Sequence, residues 1–244
     1  MFGTGVIKKI RILLKVNWFK TLYFNFKMFP FEIAKKFPVF IYGPVKLSNL
    51  SGKITIKKPI KAGIIGFGQK FEVSSCSSGI EEIYIAGHLV LNGHVKFGKD
   101  YFLYVEKDAE CSIGHMSTFA FKSRIICKHK ISIGDWVQSG SETHFIDTNF
   151  HDIINTNTGE VYTKCDPINI NNYNYIGSRV LIRMGTITSN YTLVASYSLC
   201  NKDYSTYGEN TLIGGVPAKL LKTNISRDWE GERSRLEKVL TVEL

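Results

Sequence analysis

The sequence predicts an all-β fold, a parallel β-helix, because its apolar residues recur every six positions. The larger residues of this repeat are Ile170, Ile176, Ile182, Thr188, Val194 and Cys200, and the smaller ones that accompany them are Val180, Thr186, Thr192 and Ser198. A period of six matches neither the 3.6 residues of an α-helix nor the two residues of a strand. It is typical of short strands separated by tight corners, with each coil stacked on the next.

An earlier stretch shows the same period less regularly. Apolar residues lie six positions apart at Ile85, Leu91, Phe97, Leu103 and Ala109, and apolar companions follow most of them at Leu89, Val95, Tyr101 and Ile113. Ile113 and Ile133 both precede a glycine, as at the start of a hexad, but they are twenty positions apart. We therefore expect a small bulge or slip between them.

The repeat divides the chain into three segments. We expect a basic, aromatic cap of helix and irregular structure over residues 1–50, followed by the β-helix over 51–205. A polar, turn-rich stretch interrupts the repeat and predicts a loop inserted at about 146–168, and loops on a rigid scaffold often carry function. Residues 206–244 predict a turn and a short C-terminal helix, with Ser226 as its N-cap.

Charge and cysteine content narrow the class of protein. The 244 residues carry a net charge of +10, with a sequence pI near 9.3, which favours anionic partners. The five cysteines form no C-x-x-C pair, so we expect reduced thiols and neither a disulfide framework nor a zinc site. The absence of a secretory leader and of an RNA-stacking motif favours a cytoplasmic protein without a nucleic-acid partner.

The N-terminal segment mixes lysines and one arginine with aromatic side chains. None of its apolar runs has the length of a membrane span, so we expect no transmembrane helix. Two interpretations stay open. The segment is a cap packed over the open end of the β-helix, or it makes a peripheral contact with an anionic membrane, at the inner face of the plasma membrane.

Two motifs beside the repeats resemble those of a known family. They are Asp147-Thr148-Asn149-Phe150-His151 and Gly214-Gly215-Val216-Pro217-Ala218-Lys219. Together with the hexads they resemble the hexapeptide-repeat acyltransferases, most closely the sugar O-acetyltransferases of bacterial capsule, exopolysaccharide and lipopolysaccharide synthesis. The resemblance is strongest from about Ile133 to Lys222. It implies a left-handed β-helix, a homotrimer, and acetyl-CoA bound between neighbouring subunits.

The resemblance also implies roles for single residues, and it implies no metal. His151 matches the catalytic histidine, and Asp147 is a candidate to orient its ring. The expected acetyl-CoA contacts are Gly177, Ser178, Gly185, Ser196, Asn201, Lys202 and Lys219, and the expected acceptor contacts are His144, Asn149 and Tyr175. The chain departs from the family pattern at Asn171 and Tyr197, where glycine is usual, and at Tyr175, where tryptophan is usual.

The implied reaction needs a base and an oxyanion donor. We expect His151 to take the proton of a sugar hydroxyl while that oxygen attacks the thioester carbonyl, since an imidazole suits a base at neutral pH. A backbone amide between Gly177 and Gly185 is expected to stabilise the oxyanion. The expected acceptor is a sugar, a nucleotide sugar or a lipid-linked oligosaccharide.

Three alternatives stay open at this point. In the first, the acceptor is an amino group on a nucleotide-linked sugar. In the second, the β-helix is a non-catalytic scaffold that binds no CoA. In the third, His115, His144 and His151 hold a zinc ion, as in a carbonic anhydrase family that shares the solenoid.

Overall fold

The part of the chain described by a computed structural model, residues 12–69, 79 and 81–241, winds into a parallel β-helix with three faces. Residues 1–11 of the predicted cap, and Cys76 among the five cysteines expected to be reduced, lie outside the described residues. A nine-stranded sheet forms the first face, a seven-stranded sheet the second and a five-stranded sheet the third. The three sheets follow each other in the first five coils, and single bridges at Ile187 and Asp203 continue the third face in the last ones, which confirms the predicted β-helical class.

The strands take their places on the faces as follows. The first face contains β1 (Val39–Ile41), β4 (Ile65–Phe67), β7 (Val95–Phe97), β10 (Ser117–Phe119), β13 (Gln138–Ser139), β18 (Tyr175–Ile176), β20 (Leu193–Val194), β22 (Thr211–Gly215) and β23 (Ala218–Thr223). The second contains β2 (Lys46–Leu50), β5 (Glu82–Ile85), β8 (Phe102–Val105), β11 (Arg124–Cys127), β14 (His144–Ile146), β19 (Leu181–Arg183) and β21 (Leu199–Cys200). The third contains β3 (Lys53–Ile56), β6 (His88–Leu91), β9 (Glu110–Ile113), β12 (Lys130–Ile133) and β17 (Ile168–Ile170). A separate antiparallel hairpin joins β15 (Ile153–Ile154) to β16 (Val161–Tyr162).

The interior of the β-helix contains the residues that the periodicity selects. Every member of both predicted sets, from Ile85 to Ile113 and from Ile170 to Cys200, is at most 2% exposed. Phe67, Phe97 and Phe119 stack on one another along the inner side of the first face, with ring centroids 5.0 and 4.7 Å apart. The six-residue period therefore predicted the core correctly.

The coils differ in length, which the period of six did not show. Phe97 pairs with Phe119, 22 positions later, whereas Ile176 pairs with Val194, 18 positions later. Ile113 pairs directly with Ile133 in the next coil, so the twenty-residue spacing marks a longer coil and the predicted bulge is wrong. Strands β5 to β12 have three or four residues, and strands β18 to β21 have two or three.

The C-terminal helix, α3 (Trp229–Leu240), lies against the first face. Its N-cap is Asp228, whose carboxylate accepts a hydrogen bond from the Gly231 amide at 2.8 Å, so the prediction of Ser226 was wrong. An aspartate carboxylate at this position also interacts favourably with the helix dipole, which a serine hydroxyl does not. The buried residues of the helix pack on corner residues of successive coils; these contacts involve Trp229, Leu236, Leu240, Met116, Trp136, Tyr173 and Tyr191.

Helices α1 (Trp18–Met28) and α2 (Phe31–Ala34) precede β1, and a 3₁₀ turn lies at Ser205–Tyr207. Helix α1 lies beside β1, the edge strand of the first face, and places Phe24 in the core. Parallel pairing of strands thus begins at β1, which lies within residues 1–50, the segment predicted as a cap. None of the described helices combines the length and apolarity that crossing a bilayer requires.

Candidate active site

The predicted loop leaves the β-helix after β14 as an arm, which we define as residues 147–167. Its two ends run antiparallel: Thr148 bridges Cys165, and the Asn149 amide donates to the Lys164 carbonyl at 2.9 Å. Beyond this base the hairpin of β15 and β16 extends with its apolar side chains exposed. The arm is therefore an ordered structure whose base is fixed to the second face.

His151 lies at the point where the arm leaves its paired base, and its side chain is exposed. Thr148 forms the turn before it, because its hydroxyl accepts a hydrogen bond from the Phe150 amide at 2.9 Å. Phe150 has a left-handed backbone, with φ of 63°. The turn holds the backbone next to His151 while leaving its imidazole accessible to a ligand.

Asp147 is buried at the base of the arm, where both carboxylate oxygens are engaged. They accept hydrogen bonds from the backbone amides of Lys128 and His129 at 2.8 and 2.9 Å. The Asp147 carbonyl accepts another from the Asp166 amide at 3.2 Å. These contacts fix the arm to the preceding coil. The expected contact between Asp147 and the His151 ring stays a prediction.

Four of the predicted ligand contacts line one cavity of about 540 Å³ beside the arm. They are Asn149, Gly185, Asn201 and Lys202. The cavity also contains Arg183, which donates to the Asn149 side-chain carbonyl, and Asp166. Sequence reasoning missed both. Arg183 was recognisable, since it follows the interior residue Ile182 by one position and strand alternation therefore turns it outward.

Gly185 shapes this cavity through its backbone. Its φ of +76° lies in the left-handed region, and an added Cβ would lie 2.9 Å from the Asp166 carboxylate. Its amide donates to the Pro167 carbonyl at 3.1 Å, so the residue joins the end of the arm to the next coil. Both observations explain why a residue without a side chain occupies this corner.

Small residues line the corner between the first and second faces. This serine corner consists of Gly140, Ser141, Gly177, Ser178, Ala195 and Ser196. The hydroxyl of Ser178 accepts from the Ser141 amide at 3.2 Å, and that of Ser196 accepts from the Ser178 amide at 3.1 Å. Two of the predicted acetyl-CoA contacts, Ser178 and Ser196, therefore stack directly on one another in successive coils, and Gly177 lies next to Ser178.

A cleft of about 690 Å³ runs beside the serine corner and beneath α3. Tyr175 and Ser178 line it, together with apolar residues of α3 such as Leu236. The Arg227 guanidinium lies 5.3 Å from the centroid of the Tyr175 ring and donates to the Gln138 side chain at 2.9 Å. The cleft is thus apolar with a few polar groups, as small-molecule sites usually are.

His144 lines a groove of about 520 Å³ on the second face and not the cavity beside the arm. Burial lowers the pKa of its imidazole below the usual value, and the nearby Arg124 lowers it further, against the opposing effect of Glu142. Burial and Arg124 both favour the neutral form of the ring. Arg179 also lines the groove and pairs with Glu142 at 3.2 Å. Neither arginine was among the predicted site residues.

Two predicted phosphate contacts, Lys202 and Lys219, are exposed at the C-terminal end of the β-helix. The Lys202 ammonium lies over the rings of Tyr204 and Tyr207, 5.5 and 5.8 Å from their centroids. Lys219 pairs with Gly214 between the antiparallel strands β22 and β23. The aromatic contacts hold one lysine in place, and the strand pairing holds the backbone of the other.

The third alternative, a zinc site, depended on three histidines. The described residues contain no group of three or more His, Cys, Asp or Glu side chains that could hold a metal ion. His115 lies elsewhere, with its ring centroid 5.7 Å from that of His94. The structure therefore does not bring His115, His144 and His151 together.

Comparison with known proteins gives structural matches. No protein-family profile and no curated protein sequence matches the chain. Among solved structures, the polySia-specific acetyltransferase NeuO has a TM-score of 0.52 and 14% identity, over 83% of this chain and 97% of NeuO. A hexapeptide-repeat acetyltransferase from Vibrio cholerae, complexed with acetyl coenzyme A, has 26% identity and a TM-score of 0.42.

The extent of these matches differs. The match with the Vibrio cholerae protein spans 50% of this chain and 64% of that one. The polysialic acid O-acetyltransferase OatWY is 22% identical over 78% of this chain and 76% of its own, with a TM-score of 0.40. The structural neighbours are therefore hexapeptide-repeat acetyltransferases, as the motifs predicted, and the chain shares the fold of NeuO.

Proposed function

We propose that the protein is an acetyl-CoA-dependent acetyltransferase that acts on a sugar hydroxyl during bacterial surface-polysaccharide synthesis. One observation carries the proposal: His151 is exposed on the arm, two residues after Asn149, which lines a cavity together with Gly185, Asn201 and Lys202. The fold shared with NeuO supports it. A base next to a polar cavity on a rigid scaffold is the arrangement that acyl transfer to a hydroxyl needs.

His151 acts as the general base in this proposal. Its imidazole takes the hydroxyl proton as the sugar oxygen bonds to the thioester carbonyl carbon. The carbon–sulfur bond then breaks, the electron pair leaves with the CoA sulfur, and the proton passes from the imidazole to that thiolate. A backbone amide between Gly177 and Gly185 stabilises the oxyanion. Asp147 contributes by holding the base of the arm through the amides of Lys128 and His129.

The residues around the serine corner fit acetyl-CoA, a long ligand with amides at one end and phosphates at the other. Gly177, Ser178 and Ser196 have side chains small enough for close approach of a narrow chain. Lys202 and Lys219 are exposed beyond them and suit phosphate oxygens. Under this proposal, His144 and Tyr175 contact the acceptor from grooves on either side of the serine corner.

We further propose a homotrimer with a left-handed β-helix, as the family resemblance implies. The hairpin of the arm is an argument for this assembly, because it exposes four apolar side chains, Ile153, Ile154, Val161 and Tyr162. Isolated exposed apolar residues are common, but a contiguous group usually marks an interface. A neighbouring subunit that covered the hairpin would complete each site between two chains.

Thiol release from acetyl-CoA, with a panel of sugars and nucleotide sugars, tests the reaction for the wild-type protein and for His151→Ala. We expect the variant to be slower by roughly 100- to 10,000-fold, the usual effect of losing a general base, while it still binds CoA. His129→Ala is the matched control. His129 is also exposed, and it contacts Asp147 through its backbone amide, which alanine retains.

The possible results separate the alternatives. Full activity of His151→Ala would show that the base lies elsewhere, and His144 would be the next candidate. Turnover with amino sugars alone would favour N-acetylation of a nucleotide-linked sugar. If the wild-type protein bound no CoA, the acetyltransferase proposal would fail and the scaffold interpretation would replace it.

A further inference from the structure

Helix α1 presents Thr21 and Asn25 inward and most of its apolar residues outward. Thr21 and Asn25 are fully buried, whereas Phe19 is 82% exposed and Tyr23 is 53% exposed. A helix on the surface of a soluble protein normally has the opposite arrangement. Only Phe24 of this helix is both aromatic and buried in the core.

The inward polar residues have a structural explanation. Strand β1 is the edge of the first face, so its outer backbone groups have no neighbouring strand. The Asn25 amide nitrogen donates to the Val39 carbonyl at 2.8 Å, and its side-chain oxygen accepts from the Val39 amide at 3.1 Å. The Thr21 hydroxyl accepts from the Ile41 amide at 3.1 Å. The helix therefore covers the sheet edge by side-chain hydrogen bonds.

This explanation does not account for the exposed apolar side chains of the helix. They form a continuous group, because the Phe26 ring lies 6.1 Å from that of Phe31 and 6.2 Å from that of Phe37, which the Trp18 ring also contacts. We call this group the aromatic surface; its exposed members are Leu14, Trp18, Phe19, Leu22, Tyr23, Phe26 and Phe31. An exposed apolar group of this size indicates a binding surface.

The charge of the segment indicates the kind of partner. Residues 12–41 contain one acidic residue, Glu32, and five lysines, which are Lys15, Lys20, Lys27, Lys35 and Lys36. A second copy placed symmetrically on this surface would bring like charges together. Lysines interleaved with tryptophan, tyrosine and phenylalanine are typical of segments that lie in the headgroup region of a bilayer.

We propose that the aromatic surface binds the surface of an anionic lipid bilayer, with helix α1 lying parallel to the membrane plane. Phe19, Leu22 and Phe26 enter the boundary between headgroups and acyl chains, and Lys15 and Lys27 contact the anionic headgroups. Because α1 is joined to the edge of the first face by Thr21 and Asn25, binding orients the whole β-helix on the bilayer. The role is independent of acetyl transfer.

Flotation with lipid vesicles tests the proposal at low salt. One set contains phosphatidylcholine alone and the other equal parts of phosphatidylcholine and phosphatidylglycerol. We expect the wild-type protein to float with the anionic vesicles only. Phe19→Ser should weaken binding about tenfold, by loss of apolar burial, and Lys15→Gln and Lys27→Gln about fivefold each. Leu221→Ser, which removes an exposed leucine from β23, should bind like the wild type.

Several results would overturn the proposal. The wild-type protein would fail to float with anionic vesicles, or Phe19→Ser would float as well as the wild type. Another is a smaller oligomer for Phe19→Ser without vesicle binding by either protein, which would assign the surface to a second copy. Circular dichroism checks that each variant is folded. Acetyl-CoA turnover with a soluble acceptor is measured alongside, so that failure of the proposed reaction is recognised separately.

Discussion

The buried carboxylate of Asp147 accepts a hydrogen bond from the backbone amide of His129 at 2.9 Å, which joins two successive coils at the base of the arm. The Lys128 amide donates to the other oxygen at 2.8 Å. Hydrogen bonds to a charged acceptor are stronger than those between neutral groups. One side chain thus holds the corner of the earlier coil and the start of the arm together.

Asp147→Ala should lower the free energy of unfolding by about 3 kcal/mol, because two charge-assisted hydrogen bonds are lost and two amides lose their acceptors. Urea denaturation measures the change. Asp152→Ala, in the exposed part of the arm, is the control and should change stability by less than about 0.5 kcal/mol. Unchanged stability of Asp147→Ala with strongly reduced turnover would instead favour a direct catalytic role for Asp147.

Glu81 should make stability depend on pH. Its side chain is buried, and this burial raises the pKa of its carboxyl to about 7; a backbone hydrogen bond with Asp100 and the charges of Lys99 and Lys20 oppose the rise, while the charge of Asp100 adds to it. An unfolded glutamate has a pKa of about 4.3. The folded protein therefore binds more protons between these values, and its stability falls as the pH rises through this window.

The Glu81→Gln variant isolates this contribution, because glutamine has nearly the same volume and does not ionise. Wild type should lose up to about 3 kcal/mol more than the variant between pH 4.5 and 8, measured by chemical denaturation. The comparison removes the effects of other titrating groups, such as His94, whose pKa burial lowers to about 4. Equal pH profiles for the two proteins would show that Glu81 is ionised in the fold.

Gly185→Ala should destabilise the protein by about 2 kcal/mol and weaken CoA binding. The substitution strains a residue with φ of +76° and places a Cβ 2.9 Å from the Asp166 carboxylate. Gly159→Ala is a closely matched control, since Gly159 has φ of +74° and open space around its added Cβ. Thermal unfolding and CoA titration of both variants separate backbone strain from the close approach. Equal losses would contradict a role for the Asp166 contact.

The hairpin of the arm should control assembly. Ile153→Ser with Ile154→Ser removes two exposed apolar side chains, so we expect the proposed trimer to dissociate at least about tenfold more readily. Light scattering after gel filtration measures the mass of the particle. Val239→Ser, an equally exposed position on α3, should leave the mass unchanged. A trimer that tolerates the double substitution would place the interface elsewhere.

The core of this fold was predictable because it depends on a local pattern. Residues six positions apart face the interior in every coil, and burial of Ile170, Ile182 and Val194 follows directly from their spacing. The unequal coils were not predictable, since pairing of Phe97 with Phe119 depends on strand length across three faces. The inward orientation of Asn25 in α1 was not predictable from the sequence either. It depends on the hydrogen bonds that this side chain makes with the edge strand of the first face.

Those residues of the candidate site that belong to recognisable sequence motifs were predictable from the sequence. The structure brings Asn149, Gly185, Asn201 and Lys202 to one cavity although they are separated by up to 53 positions. His144, an expected acceptor contact, lines a different groove, and its contact with the acceptor stays a prediction. Its strand neighbour in the next coil is Leu181, so the His144 side chain lies on the outer surface of the second face.

The unequal coils also bear on how the chain finds its register. In a solenoid of identical repeats, any coil can stack on any other, and slipped pairings compete with the native one. Here a 22-residue coil with interior phenylalanines such as Phe97 and an 18-residue coil ending at Val194 have different cross-sections. Stacking one in place of the other would leave voids or clashes. The decrease in coil size along the chain therefore determines which coils stack on each other, and it disfavours pairing in the wrong register during folding.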